Sequence, residues 1–368
     1  MRLMEDLLYK VGLTMIPQVG AITAKKLVHL CGGAKEVFEA KKRTLQQIPK
    51  ISEMTVQIIL EKKVLKQAEA EIRFMEQNDI QAFFFQDKNY PSRLRHYHDA
   101  PVLLYYRGNA DLNPLRSVAI VGTRKPSPYG LQLCEEIVND LSQYGVTVIS
   151  GLAFGIDITA HRKCLECQIP TVGVLGHGLR LIYPGQHHNI GLKMLENGGL
   201  LTEFSSQTTP EREHFPMRNR IIAGLCDALI VVETAQKGGS MISARLANDY
   251  NKDVFAVPGR VKDPFAKGCN LLIKSHRAAL LESVEDLAYV MRWRLMDQER
   301  QQIQKQLFIE LSQEEKIIVD LLRQNEALDI DSLTYNCKKS NSEMANLLLN
   351  LEFKGMVKSL PGKRYILI

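Results

Sequence analysis

A chain of 368 residues, 45% hydrophobic and 24% charged, has the length for two or three domains and ample apolar content for their cores. No apolar run is long enough to cross a bilayer, Met1-Arg2 leads into a helical pattern and not a signal peptide, and seven scattered cysteines, an odd number, fit reduced thiols in the cytosol. The net charge of +6 is uneven: residues 1–75 carry 13 Lys/Arg against 8 Asp/Glu, residues 76–306 carry 26 against 24, and residues 307–368 carry 8 against 9.

Residues 1–75 are predicted to be entirely helical, rich in Lys, Glu, Leu and Gln and without β-branched alternation. Within them IPQVGAITAKKLV, Ile16 to Val28, sets a turn at Gly20 before a helix start. IPKISEMTVQIIL, Ile48 to Leu60, repeats the pattern with Ser52 in place of the glycine. Two such units resemble helix-hairpin-helix motifs, which grip phosphates through turn amides and nearby lysines. Lys25 and Lys26 are then secondary DNA contacts; the alternative is a plain helical bundle. Ile80–Phe85 and Val102–Tyr106 read as strands, punctuated by Pro91 and Pro101.

From Val118 onward, short Val/Ile-rich runs alternate with helical stretches. The expected strands are Val118–Val121, Val146–Ile149, Thr171–Leu175, Leu200–Thr202, Ala228–Val232 and Val254–Val257. Runs without polar alternation are what strands covered on both faces look like. The fold class is therefore α/β, a Rossmann-like, doubly wound parallel sheet whose ligand lies beyond the C-terminal strand ends. A polar, Gln-rich linker, RLMDQERQQIQKQ, follows Trp293. Then come three helices and a β-ribbon turning at Pro361-Gly362, the order of a winged helix. Ser312 and Glu315 form a capping box. The helix in the recognition position, SNSEMANLLLNLEF, has no Lys or Arg, which favours a protein-protein module over a DNA reader.

The loops after the strands carry the chemistry. VAIVGTRKPSPYG offers Arg124 and Lys125 where a dinucleotide fold would set its second and third glycines, and the second strand ends in Ser150-Gly151 without a ribose-binding acid. These features disfavour NAD, and a P-loop nucleoside triphosphatase is excluded, since no G-x-x-x-x-G-K-[ST] occurs. Gly-rich helix starts at Ser150-Gly151 and Gly238-Gly239-Ser240 can bring bare N–H groups to an anion. Arg124, Lys125, Arg218, Arg220 and Lys237 add long cations, so the mouth reads as a site for several phosphates. Asp157 and His161, four apart, read as a helix-start acid with a histidine bonded to it, not an acid-base pair. His187-His188 cannot both face one metal, and Cys164/Cys167 lie near a helix C-terminus without a second pair, so no metal or redox site is expected.

Several of these loops together resemble one family: VAIVGTRKPS, SGLAFGIDITAH, LGHGLRLIYP, HFPMRNRIIAGL and GGSMISARLA followed by VFAVPGR are similar to the DNA-processing protein A (Smf) family of bacteria. The match runs through most of residues 80–280. It implies a non-catalytic, cytoplasmic protein, without cofactor, that binds single-stranded DNA, protects it during natural transformation and loads the RecA recombinase onto it. It also implies a homodimer formed through the Rossmann-like domain. Carried onto this chain, the DNA-binding residues are Arg124, Lys125, Ser150, Gly151, Phe154, Arg218, Asn219, Arg220, Lys237, Gly238, Gly239 and Ser240. Some family members have Lys where Phe154 stands here, which removes a cation and leaves a ring for packing or for base stacking. The expected domains are 1–75 (helix-hairpin-helix or SAM-like), 76–295 (Rossmann-like, DNA-binding) and 307–368 (winged helix). Two alternatives stay open. LOG-type phosphoribohydrolases share similar loops, but their catalytic glutamate aligns with Arg245, and their Gly-Thr with Met241-Ile242. A small-nucleotide sensor would keep the same loops.

Overall fold

The computed structural model describes residues 2–296, 311–325, 327–337, 339–354, 356–360 and 364–367. Most of the expected linker and the Pro361-Gly362 turn lie outside these residues. Met1–Trp293 form one compact unit and Arg294–Ile368 a second.

The first unit is organised by a nine-stranded sheet: β1 Gln81–Phe84, β2 Leu103–Gly108, β3 Arg116–Val121, β4 Val146–Ser150, β5 Thr171–Val174, β6 Gly198–Thr202, β7 Ala228–Val231, β8 Asp253–Ala256 and β9 Ala279–Leu280. Their order is β1-β2-β6-β5-β4-β3-β7-β8-β9. From β6 to β9 all pairings are parallel, while β1 and β2 add an antiparallel edge through β2–β6. Chain order reverses at β3, which pairs with β4 on one side and β7 on the other. This is where a doubly wound sheet opens its crevice. All six residues of β3 and all five of β4 are buried, as the uninterrupted apolar runs require.

Six helices, α1 to α6, precede the sheet: Arg2–Thr14, Ala21–Cys31, Ala34–Glu39, Lys42–Gln46, Glu53–Glu61 and Val64–Gln77. The two turns seen in the sequence share one backbone form. Gln18 and Lys50 hold φ at 64° and 69°. Val19 N and Ile51 N donate to Ile16 O (3.2 Å) and Ile48 O (3.3 Å). Gly20 caps α2 without a side chain, whereas Ser52 Oγ accepts from Thr55 N to cap α5. Leu13, Leu27 and Phe38 from these helices share one core with Phe84, Leu103 and Tyr105 of β1 and β2. The helical front is thus packed onto the antiparallel edge of the sheet.

The helices after β1 are α7 Ser92–Arg95, α8 Pro128–Leu141, α9 Ile156–Glu166, α10 His188–Met194, α11 His214–Leu225, α12 Ser240–Asp249, α13 Lys267–Lys274 and α14 Val284–Met291. In the second unit, helices Gln313–Gln324, Ile330–Cys337 and Asn341–Phe353 pack with strands Leu328–Asp329, Val357–Leu360 and Arg364–Leu367. The Ser312/Glu315 capping box forms as expected, and Ser340/Glu343 form another. Met344, Leu348 and Leu351 of the leucine-lined helix enter the core of this unit, while Leu349 and Phe353 are exposed. No helix among the described residues is long and apolar enough to cross a membrane.

Candidate nucleic-acid interface

The loop after β3 is the cationic one, and Glu233 at the end of β7 fixes its course. Thr123 N donates to Glu233 O (2.7 Å), while Ser127 N and Ser127 Oγ donate to the Glu233 carboxylate (2.8 and 2.7 Å). Ser127 Oγ also accepts from Gly130 N and caps α8, with Pro128 at its first position. On the other side Ile156 N donates to Thr123 O. Gly155, at φ 80°, lets the chain pass there, since a Cβ would collide with Thr123 O and the Arg124 backbone. Arg124 and Lys125 are thereby held out at the mouth, both exposed.

Two adjoining cavities open beside this loop. The larger, about 720 Å³, is lined by Arg124, Asp157, Arg218 and Asn219 and by the start of α12 at Gly238, Gly239 and Ser240. The smaller, about 150 Å³, lies between the rings of Phe154, Tyr183 and Phe215, with Arg124 and Arg218 on its wall. The Arg124 guanidinium stands over the Phe215 ring at 5.6 Å. Phe154 is 44% exposed and packs edge-on against His187, ring centroids 4.7 Å apart.

Arg218 is the buried cation of the pair. Its Nη1 donates to Val174 O, and its Nε has no partner among the described residues. Burial pulls its pKa down to about 10, with Asp157 opposing that and Arg124 adding to it. Asp157, also buried, has its pKa raised by desolvation, offset in part by Arg218 and by the Ala153 N–H. Gly151 separates the two: a Cβ there would collide with Asp157 Oδ2 and Arg218 Nη1. A glycine therefore lets a buried acid and a buried guanidinium face each other beneath the cavity.

His161 is not bonded to Asp157. Its Nε2 meets Gly151 O at 2.6 Å and its Nδ1 meets Thr171 Oγ1 at 2.7 Å. A carbonyl can only accept, so the ring proton belongs on Nε2. Burial, the largest cause, holds its pKa down at about 4. Between pH 6.5 and 4 the unfolded chain therefore takes up a proton at this residue that the native state refuses. Stability is expected to fall by up to about 3 kcal/mol across that window from this residue alone. Urea melts of wild type and His161→Gln at pH 7, 5.5 and 4.5 check this; a slope that is the same in both proteins removes His161 as its source.

The expected site residues divide by position. Arg124, Arg218, Asn219, Gly238, Gly239 and Ser240 come together around the larger cavity, and Phe154 joins them at the smaller. Lys237 lies in a neighbouring groove, and Lys125 is exposed beside Arg124 without lining either cavity. Ser150 is fully buried, its Oγ donating to Ile120 O (2.6 Å). Arg220 is ion-paired with Glu203. Lys25 Nζ donates to Tyr97 O and His98 O, and Lys26 Nζ to Pro49 O. Sequence reasoning passed over Asp157, Tyr183 and Phe215 as lining residues; the signal for Phe215 was an aromatic side chain inside the same HFPMRNR segment that supplies Arg218. No group of three or more His, Cys, Asp or Glu among the described residues is arranged to hold a metal.

Comparison with known proteins places the chain in a family. The family model described as DNA recombination-mediator protein A matches residues 81–292, and the DprA winged helix domain matches 305–363. Protein Smf of Synechocystis is 32% identical over 298 residues, 80% of this chain and 75% of the relative. The crystal structure of DNA processing protein A from Streptococcus pneumoniae superposes with a TM-score of 0.67 at 30% identity, covering 78% of this chain and 98% of that one. The Helicobacter pylori protein, whose structure was described for its single-stranded DNA binding mode, gives a TM-score of 0.53 at 29% identity, covering 58% and 97%. With a cationic crevice at the reversal of a doubly wound sheet, a winged helix later in the sequence and these relatives, the chain belongs to the DNA processing protein A (Smf) family.

Proposed function

We propose that the chain binds single-stranded DNA at the mouth of the sheet, does no bond-breaking chemistry there, and serves as a recombination mediator that protects entering DNA and loads RecA onto it. The carrying observation is the composition of the larger cavity. It offers Arg124, Arg218, Asn219 and the first turn of α12 to phosphates, and its one lining carboxylate, Asp157, lies buried opposite Arg218. A helix start and guanidinium groups suit phosphates. The aromatic slot beside it suits one base, by stacking and not by sequence readout. A phosphoribohydrolase needs a carboxylate poised at the sugar, yet Arg245 occupies that sequence position and lies on the flank of α12. Domains at 1–75, 76–295 and 307–368, cytoplasmic residence and a homodimer through the Rossmann-like domain belong to the same proposal. The winged helix, whose third helix exposes Leu349 and Phe353 and carries no cation, is assigned to protein contacts.

The test is equilibrium binding of fluorescent single-stranded oligonucleotides over a salt series, with duplex and mononucleotides as competitors. A polymer site of three or more phosphates gives a slope of log K against log salt of about −2 or steeper, at about −0.7 per phosphate. Mononucleotides that compete as well as an oligonucleotide would make the protein a small-nucleotide sensor. Release of base or ribose phosphate with turnover would make it an enzyme.

A further inference from the structure

A third cavity, about 610 Å³, adjoins the mouth. It is lined by Lys237, Gly238, Gly239, Met241, Ile242, Arg245, Asn248, Asp249, Leu272 and Arg277. Gly238, Gly239 and Ile242 line this groove and the larger cavity alike, so the two are continuous across the N-terminal turn of α12. The space over Gly239 is open: a Cβ there would meet no atom within 4 Å. From there the groove follows the helix to Arg277, which precedes β9. Ten residues of helix give it a length of about 15 Å.

Its chemistry is that of a strand path. Lys237, Arg245 and Arg277 are exposed and form no ion pair among the described residues, while Met241, Ile242 and Leu272 supply apolar floor. Arg277 is held in place at its backbone: Asn248 Nδ2 donates to Arg277 O and to Ala244 O, both 2.9 Å, stapling the segment before β9 to α12. Asp249 is the one acid in the groove. A cavity between the start of α8 and the segment after β8 differs in sign, being lined by Glu233 and Asp263 against a single cation, Arg260. Of these two cavities, the groove along α12 is the one whose charge favours a polyanion leaving the mouth.

We infer that a single strand occupying the mouth continues over Gly238-Gly239 and down the flank of α12, with successive phosphates on Lys237, Arg245 and Arg277. This rests on the proposed binding of single-stranded DNA at the mouth. The segment extends the footprint without adding base recognition, since no ring lines the groove. A short oligonucleotide fills the mouth alone, and only a longer one reaches the arginines.

The test compares the full chain with its Arg245→Gln/Arg277→Gln variant, using oligothymidylates of roughly 6 and 20 nucleotides, lengths that bracket a single-domain site. Both side chains are exposed, so the fold is unaffected, and a matching thermal melt checks that. The 20-mer is expected to bind the variant at least tenfold more weakly, with a salt slope shallower by about 1.4, the share of two phosphates. The 6-mer is expected to bind both proteins within twofold. An unchanged 20-mer affinity and slope, or equal losses for both lengths, overturns the path. Arg124→Ala run in parallel separates the two ideas: if it weakens both lengths while the double variant weakens neither, the mouth stands and the path falls. If wild type binds the 20-mer no better than a mononucleotide, the functional reading falls and the path with it.

Discussion

Arg124→Ala is expected to weaken single-stranded oligonucleotide binding by roughly tenfold to a hundredfold, about 1.4–2.8 kcal/mol, without lowering the melting temperature. Its guanidinium is exposed over Phe215, at the boundary shared by the larger cavity and the aromatic slot. From there it can make two charge-assisted bonds to one phosphate, or stack on a base. The loop does not need the side chain to keep its form, since Thr123 N and both donors of Ser127 fix it to Glu233. Arg124→Lys should recover only part of the loss, because an ammonium gives charge without the planar fork. Lys125→Ala, one residue outside the cavities, should lose much less. Titration of the three variants at one fixed salt concentration decides; wild-type affinity in Arg124→Ala removes this residue from the interface.

Arg218→Met is expected to cost about 3–5 kcal/mol of folding stability at pH 7 as well as most of the DNA affinity. Here the cation is buried opposite Asp157 and donates to Val174 O. Removing it leaves Asp157 buried with the Ala153 N–H and the charge of Arg124 on its side. The pH dependence has a definite sign. Burial already raises the Asp157 pKa, and losing Arg218 raises it further. A carboxyl whose folded pKa exceeds its unfolded one stabilises the fold when protonated, and that contribution is lost as pH rises through the folded pKa. The deficit of the variant relative to wild type should therefore shrink as the pH falls from neutrality toward the raised Asp157 pKa. Denaturant melts across pH 7 to 5 measure this, and Arg218→Met/Asp157→Asn should regain part of the stability at pH 7. A deficit that does not vary with pH, or no rescue in the double variant, would mean that lost packing and not the uncovered acid sets the cost.

Residues whose environment follows from local pattern were legible in the sequence. The six apolar runs from Val118 to Val257 became strands because a sheet covered on both faces asks for nothing but continuous Val, Ile, Leu and Ala. β9 escaped notice because two residues, Ala279-Leu280, form no run at all. Within the site, the cations at strand ends could be found, but not the direction of each side chain. Arg218 and Arg220 are two apart on a helix, about 200° around its axis, so one turns under the cavity and the other to Glu203. Read as part of a loop, the segment HFPMRNR conceals that division. Ser150 ends a strand, where alternation alone decides which face a side chain takes, and its hydroxyl turns inward to Ile120 O. Tyr183 and Phe215 sit in segments without periodicity, so only the assembled fold brings their rings to one slot.

The clamp that Glu233 places on the loop after β3 bears on the kinetics of capture. A cationic loop already immobilised by three hydrogen bonds from its own backbone and Ser127 has little conformational freedom left to surrender when an anion arrives. The ordering penalty of association then falls almost wholly on the nucleic acid, which is floppy in solution. Encounter rates should follow ionic strength and diffusion, and strands prestacked or paired by their own sequence should be the slow ones to be seized.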